Sequence, residues 1–205
     1  SVGIGLGYAD AGPTHYANED FSCFRSIVGS SIFTPSDNQT TKLIAQDILT
    51  KPKFSYVRLD RDKQHDLQPK INSTDYRNGF KIFGKVVENK IAVISHGKIF
   101  HDCIQAFKQK KNKYILINLF RSKPFPINLA KSVKKIKNFL VVDEQTPSGN
   151  LSSCVFEGFR DKNFFPKIIS KSLPERYFFE NGGREYLLNK FGLSKKDILK
   201  ATKDF

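Results

Sequence analysis

Four short apolar runs recur in the second half of the chain, with helix-length segments between them. The runs are Ile91–Ser95, Tyr114–Leu119, Phe139–Asp143 and the shorter Ile168–Ile169. Runs that are apolar on both faces are typical of strands buried in a parallel sheet. Their alternation with helical segments such as Phe100–Lys108 predicts successive βαβ units. We therefore expect an α/β fold, three-layered α/β/α, with mostly parallel sheets in two parts.

The first part of the chain alternates in the same way and ends in a polar stretch. The expected elements are a helix over 18–28, a strand over 31–34, a second helix opened by a Ser36/Gln39 capping box, and a strand over 54–59. The character of the chain changes over 60–78. Residues 60–69 are polar and have no periodic apolar stripe, which is typical of a connection. We divide the chain into residues 1–66, a linker at 67–77 and a second domain at 78–205.

The chain is strongly basic, with a net charge of +14 over 205 residues. Lysines cluster at 108–113 and 131–137, and the second cluster has apolar residues at helical spacing. Such spacing favours a solvated helix face. No zinc-finger spacing, ribonucleoprotein motif or basic-region heptad is present, so we expect no nucleic-acid partner. No apolar run reaches the ~18 residues of a membrane span, so we expect no membrane association.

The cysteines indicate the redox compartment of the protein, and the first residues indicate whether a further segment precedes them. Cys23, Cys103 and Cys154 lie far apart, without metal-ligand spacing, so we expect free thiols in a reducing cytoplasm and no metal site. The chain contains no methionine and begins Ser1-Val2-Gly3. We therefore expect a further segment upstream of residue 1.

A glycine-proline turn presents a histidine near the start of the chain. Gly12 permits unusual backbone angles, and Pro13 fixes the next φ, so the turn is rigid. His15 can donate or accept a hydrogen bond near neutral pH. On these residues alone, the turn is either a binding element or an ordinary solvated surface turn.

The segment 7–20 resembles the Gly-Pro-Thr-His-x-x-x-Glu-Asp signature of the transketolase family. Further likenesses follow in the family's order at 34–37, 56–61, 91–97, 141–151 and 182–198. The resemblance implies that residues 1–66 end a pyrimidine-binding domain and that 78–205 form the transketolase C-terminal domain. It implies a thiamine-diphosphate-dependent transfer of a two-carbon ketol unit between phosphorylated or nucleotide-linked sugars.

The resemblance also implies roles for individual residues. His15 contacts the hydroxyls of the donor ketose and is the candidate catalytic residue. Arg61, or alternatively Arg58, pairs with the substrate phosphate, for which a guanidinium is suited. Ala11 stands where many relatives carry an aspartate that contacts a substrate hydroxyl, and Asp10 is the candidate replacement. That departure weakens the identification of the sugar more than that of the family.

The residues that bind and activate the cofactor in this family are not found in this chain. The catalytic glutamate and the diphosphate and metal motif lie upstream or on a separate chain, so no cofactor-binding residue is identified. We expect thiamine diphosphate, with magnesium or calcium, to be held mainly by an N-terminal section. Homodimer or heterotetramer assembly is expected, and the chain is not expected to be active alone.

Three alternatives remain open from the sequence. A deoxyxylulose-phosphate synthase usually has glutamine where Pro13 stands, and a 2-oxo acid dehydrogenase β subunit usually has glutamine in place of Thr14. A non-catalytic assembly or ligand-binding module is the third alternative.

Overall fold

The computed structural model describes all 205 residues as two β-sheets surrounded by helices. In chain order the elements are α1 (Asp20–Ser26), β1 (Ser31–Phe33), α2 (Asn38–Thr50), β2 (Ser55–Val57), α3 (Ser73–Asn78), β3 (Lys81–Phe83), β4 (Ile91–Ser95), α4 (Ile99–Phe107), β5 (Tyr114–Asn118), β6 (Arg121–Lys123), α5 (Ile127–Val133), β7 (Asn138–Val142), α6 (Leu151–Arg160), β8 (Lys167–Lys171), α7 (Gly183–Lys190) and α8 (Lys195–Ala201), with 3₁₀ turns at Ala9–Ala11, Pro13–His15 and Thr202–Asp204.

The larger sheet has five strands in the order β3-β5-β4-β7-β8. Strands β5, β4, β7 and β8 run parallel, and β3 pairs antiparallel with β5. The smaller sheet has the order β2-β1-β6, with β2 parallel and β6 antiparallel to β1. Three of the four strand pairs in the larger sheet are parallel, and the smaller sheet has one pair of each kind. The predicted α/β fold is confirmed.

Alternate residues of the central strands supply two separate cores. Ala92 and Ile94 of β4 pack toward α5 and α6, while Val93 between them packs toward α4, α7 and α8. Successive side chains of a strand point to opposite faces, so helices must cover both faces to bury them. The result is the expected helix–sheet–helix layering around the five-stranded sheet.

Two local predictions differ from the structure. Asp37, rather than Ser36, caps α2, since its carboxylate accepts a hydrogen bond from the Thr40 amide, while Ser36 donates to Asn118. The expected linker contains α3, opened by a reciprocal capping box between Asn72 and Asp75. Six residues are too few to show a periodic apolar stripe, so no helix was predicted there.

Strand β6 was not predicted and joins the two parts of the chain. It follows β5 after two residues, yet it pairs with β1 of the smaller sheet. Backbone from beyond residue 78 therefore completes the sheet formed by the first 66 residues. The boundaries at 66 and 78 stay a prediction.

A buried ion network connects the carboxyl ends of the two sheets. Arg58, which follows β2, donates from Nε and Nη2 to the two carboxylate oxygens of Asp20, at 2.8 and 3.1 Å. Its Nη1 reaches Thr34 Oγ1 at 3.2 Å and lies 3.4 Å from His96 Nε2. His96 Nε2 in turn lies 3.1 Å from Asp143, which follows β7.

Asp20 keeps the buried guanidinium of Arg58 charged. Burial alone would lower the pKa of Arg58, but the adjacent Asp20 carboxylate raises it above its ordinary value. The Arg58 side chain is 2% exposed and that of Asp20 is 12% exposed. A pair this deeply buried is costly to break, because the remaining charge has no water around it.

None of the helices combines the length and apolar character required to span a bilayer.

Removing the charge of Asp20 tests the buried pair. We expect Asp20→Asn to lower the free energy of unfolding by about 3 kcal/mol, because it removes the hydrogen-bonded counter-charge of the buried Arg58. The matched control is Glu88→Gln, which breaks an exposed pair with Lys137 and should cost less than about 1 kcal/mol. Urea unfolding of both variants measures the difference, and equal losses would contradict the assignment.

Gly158 of α6 provides a packing test. A Cβ built there would lie 2.2 Å from Cδ1 of Phe125, so Gly158→Ala should destabilise the chain by about 1–3 kcal/mol. Ser153→Ala, on the same helix, is the control and should be nearly neutral. In a Phe125→Leu background, the cost of Gly158→Ala should shrink. An unchanged cost in the double variant would show that the Phe125 ring is not the cause.

Candidate functional site

A glycine-rich loop lies over the carboxyl ends of the strands. Val2 forms a parallel bridge with Leu59, and Gly5 forms an antiparallel bridge with Ala17. Gly5 has a φ of 55°, and a Cβ there would lie 2.6 Å from the Cβ of Glu144. Glycine is needed at this position for both the left-handed backbone and the close approach. The loop is thereby pressed against the residues that follow β7.

The histidine turn is a 3₁₀ turn that follows directly from this loop. Gly12, with a φ of 82°, reverses the chain, and Pro13 begins the turn. The exposed ring of His15 has its Nδ1 2.9 Å from the hydroxyl of Thr14, which leaves Nε2 available to a ligand. The predicted rigid presentation of this imidazole has a clear local cause.

Tyr8 contacts two of the four residues that the sequence singled out, and a third lies beside one of them. The ring of His15 stacks on that of Tyr8, with centroids 5.3 Å apart and planes 25° apart. The guanidinium of Arg61 lies 4.4 Å from the centroid of the same tyrosine ring. Arg61 also faces Asp10, with an N–O distance of 3.7 Å. We call Tyr8, Asp10, His15 and Arg61 the tyrosine cluster.

The tyrosine cluster is open to solvent. The side chain of Asp10 is 82% exposed and that of Arg61 is 47% exposed. An ion pair this exposed is weak, so Arg61 can exchange Asp10 for another anion at little cost. The cluster therefore combines a hydrogen-bonding imidazole, a cation and an aromatic face on one accessible surface.

Arg58, the alternative phosphate ligand, lies elsewhere. Its guanidinium is buried and already holds Asp20 and Thr34. It lines a small polar crevice with Asp60, His96, Lys98 and Asp143. The structure thus separates the two arginines: Arg61 reaches the surface, and Arg58 belongs to the network between the sheets.

A second buried ion network supports the glycine-rich loop. Arg184 donates to Asp102 at 3.0 Å and also to Glu144. The other oxygen of Glu144 accepts the amide of Leu6 at 3.2 Å. Burial alone would lower the pKa of Arg184, but Glu144 and Asp102 raise it above its ordinary value. The second part of the chain therefore anchors the loop that leads to His15.

The segment after β8 packs beside the histidine turn. The phenol of Tyr16 donates to the backbone carbonyl of Glu180 at 2.6 Å, and its ring packs on Phe178 at 5.1 Å. A Cβ at Gly12 would lie 3.3 Å from the amide nitrogen of Asn181. Residues distant in sequence therefore fix where the turn sits.

Sequence reasoning missed Tyr8, Tyr16 and Glu144. The aromatic side chain of Tyr8, close in sequence to His15, was a signal that could have been used. Glu144 and Tyr16 gave no such signal, because their partners lie 138 and 164 residues away.

The remaining histidines are tied into the structure or lie apart from the cluster. His96 is buried in the Arg58 network, and His101 Nε2 lies 2.5 Å from the carbonyl of Ser36. His65 is exposed in the polar segment after β2. Nowhere in the chain do three His, Cys, Asp or Glu side chains converge as metal ligands.

The residues present do not fit thiamine diphosphate as a whole. The crevice at the carboxyl ends is filled by the two ion networks, and no group of side chains offers the ligand set of a diphosphate-bound divalent ion. The groups that are exposed suit hydroxyls and a phosphate instead.

The second part of the chain matches a known family model, described as Transketolase, C-terminal domain, over residues 84–198. The chain is 24% identical over 205 residues to Transketolase-like protein 2 of Mus musculus, covering 98% of this chain and 32% of that protein. It is 22% identical to 1-deoxy-D-xylulose-5-phosphate synthase of Aquifex aeolicus (strain VF5), covering 95% of this chain and 31% of that protein.

A solved structure described as a split gene transketolase, inactive beta4 tetramer, has the same fold. It superposes with a TM-score of 0.81 at 18% identity, covering all of this chain and 65% of that one. This chain spans about a third of the length of the curated relatives it matches. Because the family model covers more than half of the 205 residues, the chain belongs to the transketolase family.

Proposed function

We propose that this chain is the C-terminal section of a thiamine-diphosphate-dependent, transketolase-like transferase. In this proposal the enzyme moves a two-carbon ketol unit between sugars that are phosphorylated or nucleotide-linked. The observation that carries it is the tyrosine cluster, in which His15 and Arg61 lie on one half-buried aromatic ring and Asp10 lies beside Arg61. Family membership supports the class of reaction.

His15 is assigned to the hydroxyls of the donor ketose. With Nδ1 occupied by Thr14, the ring faces a ligand through Nε2, which donates or accepts according to the tautomer. Stacking on Tyr8 holds the plane of the ring, so a hydroxyl meets the nitrogen in a fixed direction. The role is orientation of the sugar and, at this atom, movement of a proton.

Arg61 is assigned to the substrate phosphate and Asp10 to a hydroxyl. The guanidinium lies over Tyr8 with its edge exposed, and a phosphate is a stronger partner for it than the distant Asp10 carboxylate. Displacement of Asp10 from Arg61 frees an acceptor for a sugar hydroxyl. Arg58, with its guanidinium buried against Asp20, is assigned to holding the two sheets together.

The proposal implies an N-terminal section, fused or separate, that binds thiamine diphosphate and magnesium or calcium. This chain supplies the substrate side of the site and requires that section for activity. Assembly into a homodimer or a heterotetramer in the cytoplasm completes the proposal. The solved split gene transketolase supports a divided arrangement, since this chain covers only part of that one.

A second candidate is a deoxyxylulose-phosphate synthase. The match to the Aquifex aeolicus enzyme favours it, and Pro13 disfavours it, because that family usually has glutamine there. The tyrosine cluster suits a phosphorylated ligand in either case. Assay of the assembled enzyme separates the two: ketose cleavage supports the transferase, and condensation of pyruvate with an aldehyde phosphate supports the synthase.

Replacing His15 tests the donor site. We expect His15→Ala to lower kcat by about 10- to 100-fold in the enzyme assembled with its N-terminal section, with cofactor affinity unchanged. His65→Ala, which removes another exposed histidine, is the control and should retain the parental rate. Steady-state kinetics with ketose phosphates and a cofactor titration measure both quantities. Parental turnover in His15→Ala would remove His15 from the site.

Replacing Tyr8 tests whether that ring organises the cluster. Tyr8→Leu removes the surface on which His15 and Arg61 both rest, so we expect KM for a phosphorylated ketose to rise about fivefold. Tyr177→Leu changes a tyrosine that is 79% exposed and lies outside the cluster, and it should leave KM unchanged. Equal effects of the two substitutions would show that Tyr8 has no special role.

A further inference from the structure

The four parallel strands of the larger sheet begin in one row. Ile91, Tyr114, Asn138 and Lys167 are aligned in register across β4, β5, β7 and β8. The residues immediately before three of these positions are lysines, Lys113, Lys90 and Lys137 in spatial order. Neighbouring strands are about 4.8 Å apart. The lysines that precede these three strands therefore lie close together in a row along this edge of the sheet.

The connections that lead into these strands carry much of the positive charge of the chain. They are residues 84–90, 108–113, 134–137 and 161–166, and we call them the amino-edge loops. They hold ten lysines against two acids, Glu88 and Asp161, a net charge of +8 out of +14 for the whole chain. Because the strands are parallel, all four loops lie at the same end of the sheet.

The positive charge of the amino-edge loops is left largely unneutralised. Among their lysines, Lys137 is the one that forms an ion pair, with Glu88 at 3.0 Å. Every residue of 108–113 is exposed, as are Lys134, Lys135 and Lys137. Like charges placed side by side on neighbouring strands oppose folding. A bound polyanion would remove that repulsion.

A groove runs along this end of the molecule. It has a volume of about 740 Å³ and lies between residues 86–88 and the lysines at the end of α5, namely Lys131, Lys134, Lys135 and Lys137. Glu88 is the one acid that lines it, and that carboxylate is already paired with Lys137. A shallow basic groove of this kind, open to solvent, is accessible to a flexible anionic chain.

We propose that the amino-edge loops bind the phosphate backbone of single-stranded nucleic acid. The loops contain lysine and no arginine, which provides charge for phosphates without the planar, paired donors of a guanidinium. Binding is therefore sequence-independent and strongly dependent on salt. An anionic membrane is a poorer fit, because few large apolar side chains are exposed on these loops, chiefly Val87 and Phe165.

This proposal departs from the sequence-based expectation that no nucleic acid is bound. Considered singly, each lysine cluster indicates a solvated surface. In the fold, the parallel strands begin at the same level. The separate lysine clusters that precede them therefore lie together along one basic edge of the sheet. The tyrosine cluster lies among the carboxyl-end loops, so the proposed site is independent of the proposed enzymatic function.

The probe is a fluorescein-labelled oligothymidylate of about 20 nucleotides, followed by fluorescence anisotropy over a series of KCl concentrations. About five phosphate contacts give a slope of log K against log salt near −3.5. The test variant replaces Lys110, Lys111, Lys134 and Lys135 with glutamine. The control replaces Lys42, Lys51, Lys195 and Lys196, which are exposed and lie outside the amino-edge loops, so both variants lose the same charge.

We expect the test variant to bind at least about tenfold more weakly and with a shallower salt slope, and the control to stay within about twofold of the parent. Circular dichroism confirms that both variants are folded. Equal losses in the two variants would overturn the proposal, since they would reflect net charge alone. Binding to phosphatidylserine vesicles without binding to the oligonucleotide would also overturn it, and so would no binding at low salt.

Discussion

The buried network formed by Asp20, Arg58 and His96 links the carboxyl ends of the two sheets. Arg58 leaves the end of β2, Asp20 opens α1, and the same guanidinium lies beside His96 at the end of β4. Charged groups are rarely buried unless paired and hydrogen-bonded, because water solvates them so well. Each of these groups therefore constrains the others, and the carboxyl ends of both sheets face one another across the network.

That arrangement decides where the candidate site lies. The glycine-rich loop crosses the facing strand ends, where Glu144 holds the amide of Leu6 and leaves room only for glycine at position 5. The chain then emerges at the surface, turns at Gly12 and presents His15, with the segment around Glu180 behind it. The C-terminal part of the chain thus has a definite role in placing the histidine turn, in addition to packing.

The sequence predicted the buried strands well and the short or contact-dependent features poorly. Strand β4 begins and ends where its apolar run does, because burial on both faces leaves little choice of residue. Strand β6 and helix α3 are too short to carry a period. Two neighbouring polar residues, Ser36 and Asp37, could each cap α2, and tertiary contact with Asn118 decided between them.

The same limit applies to the site. His15, Asp10 and Arg61 could be named from the sequence, because their residue types and order resemble a family signature. The contact of His15 and Arg61 with Tyr8 depends on a chain reversal that the sequence does not specify. The burial of Arg58 depends on Asp20, 38 residues away. The functional roles of these residues stay predictions.

A crystal structure of this chain assembled with its N-terminal section, soaked with a ketose phosphate, tests the central claim most directly. The account predicts electron density for the sugar against the ring of Tyr8, with His15 Nε2 within hydrogen-bond distance of a hydroxyl and Arg61 on the phosphate. A sugar bound at another surface, with His15 and Arg61 still facing solvent, would contradict it.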